Sequence, residues 1–165
     1  MFDPPTKVRK EFVTAGWRVG RKCGVDARVQ TDHPAKIVLA SFGGLSVGDT
    51  GKGVECAKSN IAFEFVDERD WLLSDWPVLN ALGLVGIGWV QNEHGVMAIA
   101  SDGKCFGASA VHDAFYFEGE TWEEAVYRSL VGYKSRPILL PGQSCVELYG
   151  EVNRPGHPGL YRLEL

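Results

Sequence analysis

The chain lacks any apolar run long enough to span a bilayer, any closely paired cysteines and any excess of positive charge. Its longest apolar stretch, Leu82 to Val90, is interrupted by Gly83, Gly86 and Gly88 and falls well short of the roughly 20 residues a spanning helix needs, so no membrane span is expected. Met1-Phe2-Asp3-Pro4-Pro5 places no apolar segment ahead of Lys7, Arg9 and Lys10, unlike a secretory signal, and a cytoplasmic protein is expected. Cys23, Cys56, Cys105 and Cys145 stand far apart, with no C-x-x-C pair and no histidine at zinc-ligand spacing. Reduced, mostly buried thiols are expected, with no metal and no cofactor. No internal repeat is visible.

What the 165 residues supply is the composition of an ordinary globular protein, 45% hydrophobic and 23% charged, enough for one core that hides about two-thirds of the extended chain's surface. Twenty glycines and eight prolines predict many turns. The net charge of -4 is unevenly spread: residues 1–48 hold eight basic and four acidic residues, 49–124 hold four and fourteen, and 125–165 hold five and three. An acid-rich middle repels phosphate and attracts cations, which disfavours direct nucleic-acid binding and favours a basic protein partner.

The pattern of elements predicts an α+β fold, a mostly antiparallel sheet with helices packed against it. Pro4-Pro5 starts a first helix with Val8, Phe12 and Ala15 on one face, ending near Gly16. Thr31-Asp32-His33-Pro34 caps a second helix carrying Val38 and Phe42, stopped by Gly43. Leu45–Val47 and Ile61–Val66 read as strands around a loop at 48–53. A short or bent helix is expected within 71–81, interrupted by Pro77. Val85–Val90, Val96–Ala100 and Lys104–Ala108, separated by Asn92-Glu93-His94-Gly95 and Ser101-Asp102-Gly103, predict an antiparallel meander, with Ala114–Phe117 as a further strand. Thr121-Trp122-Glu123-Glu124 is a capping box, in which the threonine hydroxyl and Glu124 should satisfy each other's backbone amides ahead of a helix through Leu130. Beyond Arg136 two strands are expected, Cys145–Tyr149 and Leu160–Leu165.

Signatures of chemistry are incomplete. Ser46-Val47-Gly48-Asp49-Thr50-Gly51-Lys52-Gly53 superficially suggests a phosphate loop, but the pattern G-x-x-x-x-G-K-[ST] needs glycine at 46 and a hydroxyl residue at 53. His33, His94, His112 and His157 are isolated in sequence from the four cysteines, and no G-x-S-x-G elbow is present. A thiol hydrolase would therefore need a Cys-His pair assembled only by folding. Glu123 and Glu124 favour a helix N-terminus, and the other carboxylates fall in turns. The tryptophans are expected in the core or as interface anchors.

Ala15-Gly16-Trp17-Arg18-Val19-Gly20-Arg21, Phe42-Gly43-Gly44-Leu45, the hairpin at Asp102-Gly103-Lys104, and Thr121-Trp122-Glu123-Glu124-Ala125 before Leu130 and Gly132 resemble the third group of the SUKH superfamily, the bacterial Smi/Knr-like immunity proteins. The resemblance spans about residues 6–133. It implies a SUKH-like domain at 1–135, with 136–165 as a C-terminal extension packed on it. It also implies a non-enzymatic role, the binding and blocking of a cognate toxin, often a nuclease or nucleic-acid deaminase of a polymorphic toxin system. Its glycines and Trp17 supply turns and packing but no acid, base or nucleophile. The expected partner is a basic protein toxin, with Asp67, Glu68, Asp70, Asp113, Glu118 and Glu120 as candidate contacts. A regulatory or adaptor module on the same fold is the alternative.

Overall fold

A computed structural model describes residues 2–67 and 76–163. Thr6–Val8 form a 3-10 turn that runs into α1 (Arg9–Thr14). The helix ends in a Schellman motif: Trp17 N–H donates to Phe12 O at 2.8 Å and Gly16 N–H to Val13 O at 3.0 Å, with Gly16 at φ 97°. That left-handed step folds the Trp17 side chain back into the core containing Phe12, as such endings favour. At α2 (Pro34–Phe42) the cap is His33 itself, whose Nδ1 accepts the Ala35 N–H at 3.1 Å. Its Nε2 meets Gly83 O at 2.8 Å. With Nδ1 accepting, Nε2 carries the proton and donates it.

Strands β1 (Ser46–Val47), β4 (Ile61–Val66), β5 (Val85–Val90), β6 (Gly95–Ile99), β7 (Cys105–Ser109), β8 (Ala114–Gly119) and β9 (Arg136–Ile138) form one antiparallel sheet in the order β1-β4-β5-β6-β7-β8-β9. The expected α+β class is therefore realised. Two small hairpins flank it, β2 (Gly51–Lys52) with β3 (Ala57–Lys58) and β10 (Val146–Leu148) with β11 (Glu151–Asn153). Both sheet faces are covered. α1, α2 and α3 (Trp122–Val131) bury one face around Phe12, Phe42, Phe63 and Trp122, where the Phe42 and Trp122 rings stack at 4.7 Å. The other face gathers Phe106, Phe115 and Phe117 under the 3-10 helix Pro77–Leu82 and the tail residues Tyr161 and Leu163.

Several expectations are corrected. Residues 71–75 of the expected bent helix lie outside the described residues, and 77–82 are 3-10 rather than α. At α3 the Thr121 hydroxyl accepts the Glu124 N–H at 3.2 Å, but the Glu124 carboxylate reaches the N–H of Glu120 at 3.0 Å, one residue before the threonine. Of the strand expected at Leu160–Leu165, residues 160–163 form none, and 164–165 lie outside the described residues. Residues 160–163 are a strap along β9, joined to it by one backbone bond from Tyr161 N–H to Pro137 O at 2.9 Å. Within 48–53, Gly51 and Lys52 join the small β2–β3 hairpin.

Candidate partner-binding surface

The meander fixes which acidic residues share a neighbourhood. Turns 91–94 and 110–113 lie at one end of the sheet, because Val90 pairs with Gly95 and Gly95 with Ser109. The end of β4, turn 101–104 and Glu120 lie at the other. Asp113 and Glu120 flank β8 on its two ends, so their backbones are roughly 23 Å apart at the rise of a strand. One contact that held both would have to span that length of the sheet. Glu68 and Asp70 lie outside the described residues.

Asp67 closes β4 and is already engaged. Its Oδ2 accepts from Arg28 Nη1 at 2.8 Å, while Arg28 also grips Asp26 at 3.0 Å and lies over the Phe65 ring at 4.5 Å. Arg28 holds the Asp26 carboxyl down to about 2. Other acids are neutralised in the same way, Asp102 by Lys104 at 2.7 Å and Asp49 by Lys58 at 3.1 Å. Pairing spends part of the acidity counted in the sequence.

Glu118 is corrected outright, since it is buried rather than a surface contact. On β8 it shares the helix-side face with Ala114 and Tyr116, under the β10–β11 hairpin. Ser135 Oγ donates to its Oε2 at 2.7 Å, and the Tyr149 hydroxyl donates to Ser135 Oγ at 3.1 Å. Burial outweighs this bond and pushes the carboxyl up to about 7.

Asp113 belongs to a different setting. At its end of the sheet Trp89, Gly95 and Ala110 frame a pocket of about 190 Å³ bordered by Glu93 and His94. Trp89 pairs with Ala62 and Val96, while their neighbour Val90 faces the helix-side core, so the half-buried indole lies on the opposite face. Val111, next to Ala110, is 67% exposed. Glu93 and Asp113 are exposed and enter no ion pair among the described residues. Gln91, Asn92 and Glu93 have φ of 54°, 54° and 68°, and Asp113 has 48°, a conformation that non-glycine residues adopt at a cost. The strained turn is anchored from outside: Gln91 N–H donates to Ser59 Oγ at 2.9 Å and Asn92 N–H to Asn60 Oδ1 at 3.0 Å. An apolar centre with an unpaired acid at its rim is the composition of a protein-binding surface. Trp89 and Glu93 were not among the sequence candidates. Strand register places them at the same end of the sheet as Asp113.

The remaining motifs serve packing. Gly53 lies against Gly132, where an added Cβ would come 2.7 Å from the Gly132 Cα. The loop around Gly53 donates the N–H groups of Val54, Glu55 and Cys56 to the last carbonyls of α3. Burial raises the Cys105 thiol, and burial with Glu118 and Glu55 raises Cys56. Cys23 contacts Arg21 and Gly43 O, and Cys145 is exposed. No cysteine is hydrogen-bonded to a histidine among the described residues. Nor do the described residues hold a metal-ligand cluster or a helix long and apolar enough to cross a membrane.

No protein-family model matches the chain, nor does any curated protein or solved structure.

Proposed function

We propose that this protein is an immunity protein that binds a cationic protein toxin and neutralises it by occlusion. The observation that carries the reading is the Trp89 pocket with Glu93 unpaired at its border and Asp113 unpaired at the same end of the sheet. Unpaired carboxylates accelerate encounter with a cationic surface, and a desolvated aromatic centre supplies the lasting part of the affinity. Nucleases and nucleic-acid deaminases hold phosphates with lysine and arginine, so an acidic plug would occupy the surface they need for substrate. The resemblance in sequence points to the same class. In support, Arg21 of the Gly-Trp segment binds the Gly43 carbonyl of the Phe-Gly-Gly-Leu segment, which gives these motifs a shared structural role.

The test is co-expression with the product of the neighbouring gene, scoring growth. Rescue by this chain, with an association rate that falls as salt rises toward physiological strength, agrees with the proposal. A neighbouring product that is harmless alone, or whose toxicity persists in the presence of this chain, contradicts it.

A further inference from the structure

A second surface of the opposite sign lies along β9, on a molecule whose formal charge is -4. Between β9 and the strap runs a groove of about 980 Å³, edged by Arg136, His157, Arg162 and Lys104, the last paired with Asp102 at 2.7 Å, with Glu120 as the one carboxylate lining it among the described residues. Leu160 and Leu163, both half-buried, contribute to its apolar lining. Arg136 donates one N–H to Leu160 O at 2.9 Å and lies over the Tyr161 ring at 5.4 Å, leaving further guanidinium donors. Arg162 is exposed and has no partner among the described residues. His157 Nδ1 accepts the Gly159 N–H at 3.1 Å, so its other ring nitrogen is the donor.

We propose that this groove binds an extended acidic peptide segment of a partner protein, carboxylates on Arg136 and Arg162 with Lys104 at the margin, and apolar side chains on Leu160 and Leu163. Guanidinium forks match carboxylates in two-point geometry, and the apolar lining between the cations suits side chains alternating with them. A nucleic acid fits less well. Single strands bind by stacking bases on aromatic rings, but Tyr161 is stacked on Phe117 at 4.1 Å with an interplanar angle of 6° and carries Arg136 as well. A peptide adding to the sheet through its backbone is also disfavoured, because Pro137 supplies no N–H at this edge and its carbonyl is taken by Tyr161. Recognition is left to side chains.

The inference does not depend on the toxin reading. It is tested by fluorescence anisotropy with a short labelled peptide alternating glutamate and leucine, beside its lysine-leucine counterpart and a single-stranded oligonucleotide of equal charge. The acidic peptide should bind at low salt, the lysine peptide should not, and the oligonucleotide should bind more weakly. Arg162→Glu with Lys104→Glu should weaken binding about tenfold or more, while Lys10→Glu with Arg18→Glu, remote in sequence and exposed, should leave it unchanged. Arg162→Gln alone, at an unpaired exposed position, should give a smaller loss and guards against misfolding of the double variant. Absence of acidic-peptide binding, equal binding of the lysine peptide, stronger binding of the oligonucleotide, or equal losses in both double variants would overturn the proposal.

Discussion

The guanidinium of Arg21 donates to the Gly43 carbonyl oxygen at 2.8 Å and also to Ser41 O at 3.2 Å, closing the C-terminus of α2 from a segment twenty-two residues upstream of Gly43. Charge-assisted bonds to terminal helix carbonyls are worth about 1.5–3 kcal/mol. Arg21→Ala is expected to lower unfolding stability by about 2 kcal/mol, read as a lower urea midpoint at unchanged slope. An unchanged midpoint would show that the segment resembling the family motif does not hold the helix end.

Glu118 should make stability fall with rising pH. Its folded value of about 7 lies above the ordinary 4.5. The unfolded carboxyl therefore loses its proton first, while the folded one keeps it. The associated stability is fully present below about pH 4.5 and is lost as pH rises through 7, up to about 3 kcal/mol in all. Denaturation of wild type and Glu118→Gln across this range isolates the contribution, with the variant gaining relative to wild type as pH rises. Parallel curves would exclude the buried carboxyl as their source.

Gly132 ends α3 at φ 82°, and a Cβ there would meet Cys56 O at 2.6 Å and the Gly53 Cα at 2.7 Å. Gly132→Ala combines left-handed strain with backbone crowding and should cost about 2 kcal/mol or more, measured by thermal unfolding. A neutral substitution would mean that the 51–58 hairpin does not rest on this helix.

The Tyr161 ring packs the tail onto the sheet beside Leu163. Tyr161→Ala removes the stack on Phe117 and should open residues 154–160 to limited proteolysis while leaving exchange protection in β5–β7 intact, since release of the strap is a local event. Loss of protection throughout the sheet would contradict a separable strap.

The antiparallel meander was legible because Asn92-Glu93-His94-Gly95 and Ser101-Asp102-Gly103 punctuate apolar runs with strong turn chemistry. The second small hairpin was not. Its turn is Tyr149-Gly150, both at positive φ, and tyrosine is an uncommon first residue for such a turn. Glu118 misled because acidic residues are rarely buried fully, and the partners that accommodate it, Ser135 and Tyr149, come from beyond α3. Charge counting found an acidic chain but could not locate a site. Asp67 and Asp102 are spent on Arg28 and Lys104, whereas Glu93 is left unpaired beside Trp89, with Asp113 unpaired at the same end of the sheet.

The central claim, that the Trp89 end of the sheet receives a cationic toxin, is tested most directly by growth rescue with Trp89→Ala and with Glu93→Lys/Asp113→Lys beside wild type against the neighbouring gene product. Wild type should rescue. Both variants, folded as judged by circular dichroism, should lose rescue, with association of the charge-reversed protein slowed about tenfold or more at low salt. Rescue by wild type and both variants alike would place the contact elsewhere on the molecule, and no rescue by wild type would contradict the immunity function itself.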